Sequence, residues 1–251
     1  MAQYGFGSGS MWATTTAGTT NTPARFGALQ EASLDFSANV KELYGTYQLP
    51  LAVARGTIKV QGKAKYAQIQ GRMFNDIYFG ATMASGEINT SVDEAGTIPT
   101  TPYQVTVANS ATWTVDLGVK YTSGTAAQIG TSLVRVASAP ATGQYSVTAG
   151  VYTFAAADTG LGVAICYNYT TAAVGDVVTM SNQLLGTTPV FTAVLSQVFV
   201  TKQITWSMTQ CTSSKLSFPT KLEDFAYLEL DFSCYCNQAN VLGTISVAET
   251  S

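Results

Sequence analysis

Residues 33–80 read SLDFSANVKELYGTYQLPLAVARGTIKVQGKAKYAQIQGRMFNDIYFG, and the periodicity of this stretch decides the fold. Leu34, Phe36 and Ala38 alternate with Ser33, Asp35 and Ser37, the period-2 pattern of a strand with one buried face. The step Glu42-Leu43-Tyr44-Gly45 breaks it. From Leu51 to Gln61 the chain is β-like again with both faces mixed, which predicts a strand running from a buried end to a polar, exposed one. At Tyr66 the period changes: Tyr66, Ile69, Met73 and Ile77 follow helical spacing, Phe74 and Tyr78 widen the stripe, and Gly80 is a natural stop. No Ser, Thr, Asp or Asn just before Tyr66 offers an N-cap, and a glycine inside a helix, here Gly71, costs about 1 kcal/mol relative to alanine. Packing of the aromatic stripe must therefore stabilise this helix.

Composition extends the reading to the whole chain. Only 11% of the 251 residues are charged and 46% are hydrophobic, with Thr, Val, Ser, Ala, Gly and Tyr prominent, a mixture that favours strands and turns. The net charge of −3 argues against a protein that grips nucleic acid, because phosphate contacts need a basic surface. The absence of histidine removes the commonest general base and the commonest zinc ligand. The N-terminal residues lack a basic segment followed by an apolar one, and no run of about 18 apolar residues follows, so neither secretion by the usual route nor membrane insertion is expected.

Residues 1–30 are rich in Gly, Ser, Thr and Ala without periodicity, which predicts a flexible N-terminal arm. Tyr4, Phe6, Met11, Trp12 and Phe26 are more apolar anchors than a solvated tail needs, so the arm either stays disordered or orders against a neighbouring subunit. From Gly96 to Val200 only Asp116, Lys120, Arg135, Asp158 and Asp176 are charged. That shift predicts an inserted low-charge β subdomain over 96–181, with the core formed by 31–95 and 182–251. Within the insert, strands are expected at 104–108, 112–121, 133–137, 144–148, 151–155, 163–170 and 177–181, with a short hairpin turn at Thr148-Ala149-Gly150. Strands so spaced suggest a sandwich or barrel. Beyond the insert, Pro189–Val200 and Ile204–Met208 return to the core. Phe225–Cys236 is the cleanest strand, with Ala226, Leu228, Leu230, Phe232, Cys234 and Cys236 on one face, and Thr244–Ala248 closes the chain. The words Leu34-Asp35-Phe36-Ser37 and Leu230-Asp231-Phe232-Ser233 echo each other and suggest neighbouring strands. The expected class is mostly β, a sandwich or barrel with one packed helix and an inserted β subdomain.

Chemistry is harder to find. Arg55, Lys59, Lys63, Lys65 and Arg72 form a basic run, while Glu223, Asp224, Glu229, Asp231 and Glu249 are the only charges after Lys221. Complementary patches of this kind suit a head-to-tail contact between subunits, which closes into rings or continues as filaments; the alternative is two solvated strand faces. Glu223-Asp224 and Glu229/Asp231 are carboxylate pairs by spacing only, and Gly5-Phe6-Gly7 with Gly9 follows no strand, so it is no dinucleotide loop. The cysteines, Cys166, Cys211, Cys234 and Cys236, are too few for a disulfide scaffold, Cys234 and Cys236 do not readily pair with each other, and all four read as small buried hydrophobes. No enzyme, metal site or cofactor is expected.

The run KELYGTYQLPLAVARGTIKVQGKAKYAQIQGRMFNDIYFG (41–80) resembles the N-terminal part of tail tube, or major tail, proteins of long-tailed bacteriophages. TSLVRVASAPATGQYSVTAGVYTFAAADTGLGVAICYNYT (131–170) is similar to a segment recurrent in phage virion proteins, and SSKLSFPTKLEDFAYLELDFSCYC (213–236) resembles the C-terminal strands of the tail family. The resemblance implies a structural virion protein, assembled in the host bacterial cytoplasm and placed in the tail. Its rings, usually hexameric, stack into a hollow tube whose inner β-barrel is shared by the subunits. It further implies partners in other tail proteins (a sheath if the tail is contractile, a terminator, a tape measure) and transient passage of genomic DNA without specific binding. On that reading Asp35, Glu229 and Asp231 are expected to face the lumen, where acids keep the phosphate backbone from sticking. The run Arg55, Lys59, Lys63, Lys65 is expected to reach a neighbouring subunit, and the insert to be an outward decoration. Two competing readings are a capsid decoration or other virion protein, and a receptor-binding adhesin domain.

Overall fold

The computed structural model describes residues 5–17, 21–81 and 83–249. In chain order its strands are β1 (Ser10–Thr15), β2 (Ala24–Arg25), β3 (Leu29–Tyr44), β4 (Pro50–Tyr66), β5 (Met83–Thr97), β6 (Gln104–Thr106), β7 (Trp113–Tyr121), β8 (Val134–Arg135), β9 (Gln144–Thr148), β10 (Val151–Phe154), β11 (Gly162–Val178), β12 (Phe191–Phe199), β13 (Lys202–Ser217), β14 (Leu228–Tyr235) and β15 (Gly243–Glu249). Strands hold 56% of the residues and helices 6%, so the fold is mostly β. The chain forms two compact units, one made of residues up to Met83 and from Val178 onward, the other of Ala84–Val177. The charge minimum beginning at Gly96 does not mark their border, because β5, with Glu87, Asp93 and Glu94, already belongs to the second unit.

The first unit is one mixed-length antiparallel sheet in the order β2-β1-β12-β13-β14-β4-β3, with β15 pairing β13 beside β14. Its core face carries Met11, Phe26, Val60, Tyr66, Phe191, Met208, Leu228, Leu230 and Phe232. The period-2 reading of the closing strand holds: Leu228, Leu230, Phe232 and Cys234 are buried and the residues between them are not. Phe225 and Ala226 lie before it, Phe225 exposed, and Cys236 lies past its end and is exposed. Gly62 is opposite Phe232, whose ring occupies the space a Cβ at 62 would need, so only glycine fits there. The two echoing words flank this same strand: Leu34 and Phe232 both pair with Gly62, so β3 and β14 are separated by β4 and are not neighbours.

Two expectations for this unit change. The N-terminal segment is not a loose arm: β1 pairs β12, β2 pairs β1, and Met11, Ala13 and Phe26 are buried in the unit's own core. Tyr4 lies outside the described residues. The helix is shorter than its stripe suggests, because Tyr66 ends β4 with its ring edge-on to Phe26 at 4.9 Å. Helical turns begin only at Gly71 (α over Gly71–Met73, then π over Phe74–Phe79), so Gly71 opens the helix instead of interrupting it. Gln70 at the N-cap makes no side-chain capping bond, as the sequence suggests, and Gly80 closes the turn in the left-handed region at φ 58°, donating to the Asn75 carbonyl at 2.6 Å.

The second unit holds a four-stranded sheet, β6-β10-β9-β8, and a three-stranded one, β5-β11-β7. Both contribute to a core of Ile98, Val119, Tyr121, Tyr145, Tyr152, Phe154, Val163, Ile165 and Tyr167. The β9–β10 turn is as read: Ala149 and Gly150 both have positive φ, the signature of a type I′ turn. A Cβ at Gly150 would also meet Ser110. The 177–181 segment is not a separate strand; Val177 and Val178 end β11.

Candidate functional site

The feature that stands out in the first unit grows from β3 and β4. Pairing of β14 with β4 ends at Cys234 opposite Val60, whereas β3 and β4 continue to pair out to Tyr44 and Pro50. Beyond Phe36 and Val60 the two strands therefore form a ribbon of about ten residues a side, roughly 30 Å long at about 3.3 Å per residue. Every residue from Ser37 to Leu49 and from Leu51 to Lys59 is exposed. The expected gradient along Leu51–Gln61 is thus reversed: Leu51 is 70% exposed and Val53 60%, while Val60, Ala64 and Tyr66 are buried. The tip is apolar, with Tyr47 82% and Leu49 79% exposed and Leu43, Tyr44 and Leu51 beside them. A two-stranded ribbon is marginal in water by itself, and exposed apolar side chains on paired strands call for a cover.

At the base of the ribbon the opposite face of the sheet is polar. Three cross-strand rows run over β3, β4, β14 and β13: Glu31–Lys65–Glu229–Ser217, Ser33–Lys63–Asp231–Lys215, and Asp35–Gln61–Ser233–Thr212. Glu31, Lys63, Lys65, Lys215, Glu229 and Asp231 line a shallow hollow of about 250 Å³, and the Lys65 ammonium lies 5.0 Å from the Tyr227 ring centroid.

The site residues named from the sequence are therefore brought together in part. Asp35, Glu229 and Asp231 share one sheet face, but Lys63 and Lys65 lie among them, directly opposite Asp231 and Glu229. The basic run is divided. Lys59 faces Ser37 on the polar side, and a bulge opposite Asn39 moves Arg55 to the other face, against Val40. Arg72 is taken up by Asp76 at 2.9 Å in the helical turn. Glu31, Lys215 and the apolar tip are the members that sequence reasoning missed. An apolar groove lined by Ile69, Phe74, Phe79, Met180, Leu216 and Phe218 also opens on the first unit, and the loop leaving it at Phe218 carries Glu223 and Asp224.

In the second unit the polar centre is Asp116, whose side chain is almost fully buried. It accepts bonds from the Tyr145 hydroxyl at 2.7 Å, the Tyr152 hydroxyl at 3.0 Å and the Gly118 amide at 3.1 Å, with Arg135 3.7 Å away. Burial, reinforced by this carboxylate, holds both tyrosines protonated above the usual tyrosine range. The network uses every carboxylate oxygen on donors within the core, which is the pattern of a structural anchor. Among the described residues, no group of three or more His, Cys, Asp or Glu is placed to hold a metal, and no helix is long and apolar enough to cross a membrane. Compared with known proteins, the chain matches no protein-family model and no curated protein.

Proposed function

We propose that this protein is a structural subunit that assembles with copies of itself into stacked rings, the hollow tail tube of a long-tailed phage. The observation that carries the proposal is the exposed β3–β4 ribbon, about 30 Å of paired strand whose apolar tip has no cover among the described residues. A regular assembly supplies that cover once per subunit. The apolar groove beside Phe218 offers a surface of matching chemistry on the next copy, and the nearby Glu223 and Asp224 complement Arg55 and Lys59 on the ribbon. The long outer edge of β3 and the edge of β15 are open to strand pairing between copies.

In this account the polar face bearing Asp35, Glu229 and Asp231 lines the lumen, with Lys63, Lys65 and Lys215 held opposite acids. The lining is then charge-balanced rather than acidic, and each lysine already has a carboxylate across the strand, which weakens its pull on passing phosphates. The genome passes without being bound, and tail proteins such as a terminator, a tape measure and any sheath meet the ends and outside of the tube.

The ribbon is the point to test. Leu49→Asp with Leu51→Asp leaves the circular dichroism spectrum and melting of the chain unchanged, because both residues are exposed, and abolishes assembly in sedimentation velocity. Assembly that persists in this variant contradicts the proposal.

A further inference from the structure

Cys211 on β13 stands directly opposite Cys234 on the antiparallel β14. Both belong to the core of the first unit, and their Sγ atoms are 3.3 Å apart. Directly opposed residues of antiparallel strands hold their Cβ atoms about 4.5–5.5 Å apart, and a disulfide spans about 3.5–4.5 Å between Cβ atoms with an S–S bond near 2.05 Å. A small local approach of the two strands is enough to close the bond. The geometry points to a disulfide-forming site: Cys211 and Cys234 are a dithiol that a small-molecule disulfide converts into a cross-strand bond locking β13 to β14.

The other two cysteines do not share this geometry. Cys166 lies in the second unit, its thiol donating to the Asp93 carboxylate at 3.4 Å, and Cys236 is exposed beyond the end of β14. The order of events follows from the pair itself. Cys234 is the less buried of the two, and its contact with Cys211 lowers its thiol below the ordinary cysteine range, while the same contact together with burial pushes Cys211 up. The Cys234 thiolate attacks one sulfur of the small disulfide and releases one small thiolate, leaving a mixed disulfide on Cys234. Cys211 then attacks the Cys234 sulfur and expels the second small thiolate. Two protein S–H groups become one S–S bond, the small disulfide is reduced to two thiols, and the two protein protons end on them.

The position of the bond gives it an effect. β13 carries β12 and β15, and β14 carries β4 with its projecting ribbon, so the β13–β14 seam is where the two halves of the sheet join. A covalent tie there limits opening of the sheet in the unfolded ensemble and raises the melting temperature. This inference rests on the strand register and the Sγ–Sγ distance and is independent of the assembly reading.

The test uses the full chain incubated with excess glutathione disulfide, then denatured, alkylated and cleaved after Tyr235 so that Cys234 and Cys236 fall in different peptides. The expected result is one linked species containing Cys211 and Cys234, two hydrogens lighter than the sum of its peptides and separated again by dithiothreitol. The melting temperature rises on oxidation in the wild type and in Cys236→Ser, and not in Cys234→Ser. Recovery of Cys211 as an alkylated free thiol, or its linkage to Cys236 or Cys166, overturns the inference; because the mapping is done on the wild type, a variant that fails to fold does not blur it.

Discussion

Tyr66 shows how a single side chain sets a condition on the whole fold. Its ring closes the core at the end of β4, and burial pushes its hydroxyl up to about 12. Tyr121 is pushed to about 12 as well, by burial first and by the Asp158 charge second. In the unfolded chain a tyrosine loses its proton near pH 10, so between about pH 10 and 12 the unfolded state binds fewer protons than the folded one, and stability falls as pH rises. The stabilisation from these groups is complete below pH 10 and lost as pH passes the folded values. Urea midpoints measured from pH 8 to 12 are expected to be flat at first and then to drop, with a shallower drop in Tyr66→Phe. A midpoint that stays level to pH 12 contradicts the assignment.

At the scale of elements, legibility followed burial. β14 is read from its sequence because one face is buried along its whole length, so alternation of Leu228, Leu230 and Phe232 with charged residues has one meaning. The β3–β4 ribbon defeats the same rule, since Leu51 and Val53 look like core residues and are exposed. Tyr66 fits a strand end and a helix stripe equally well, which placed the helix start five residues early. Residue types alone carry no register, so the opposition of Lys63 to Asp231 and of Cys211 to Cys234 is visible only in the paired strands. The ribbon also has a dynamic consequence. With no third strand beyond Val60, amides of residues 38–58 are expected to exchange with solvent within the shortest times in the unassembled chain and to be protected in assemblies. Equal exchange in both states removes the ribbon from the contact.

For the whole molecule, the division into two units predicts that one is dispensable to the other. β5 and β11 are neighbours in one sheet, and contacts such as Thr171 with Glu87 and Thr90 with Asn168 run antiparallel toward the ends at 83 and 178. The two ends of the second unit therefore lie on neighbouring strands of its own sheet. Replacing 84–177 by a short Gly-Ser linker is expected to give a folded, cooperatively melting first unit that still assembles, because each unit has its own core. Loss of cooperative melting in that deletion contradicts the division. If copies of the chain build a tube as proposed, negative-stain electron microscopy of the purified full chain, with no other protein present, shows rings of constant diameter or hollow tubes, whereas a field of uniform monomers or trimers contradicts tube assembly.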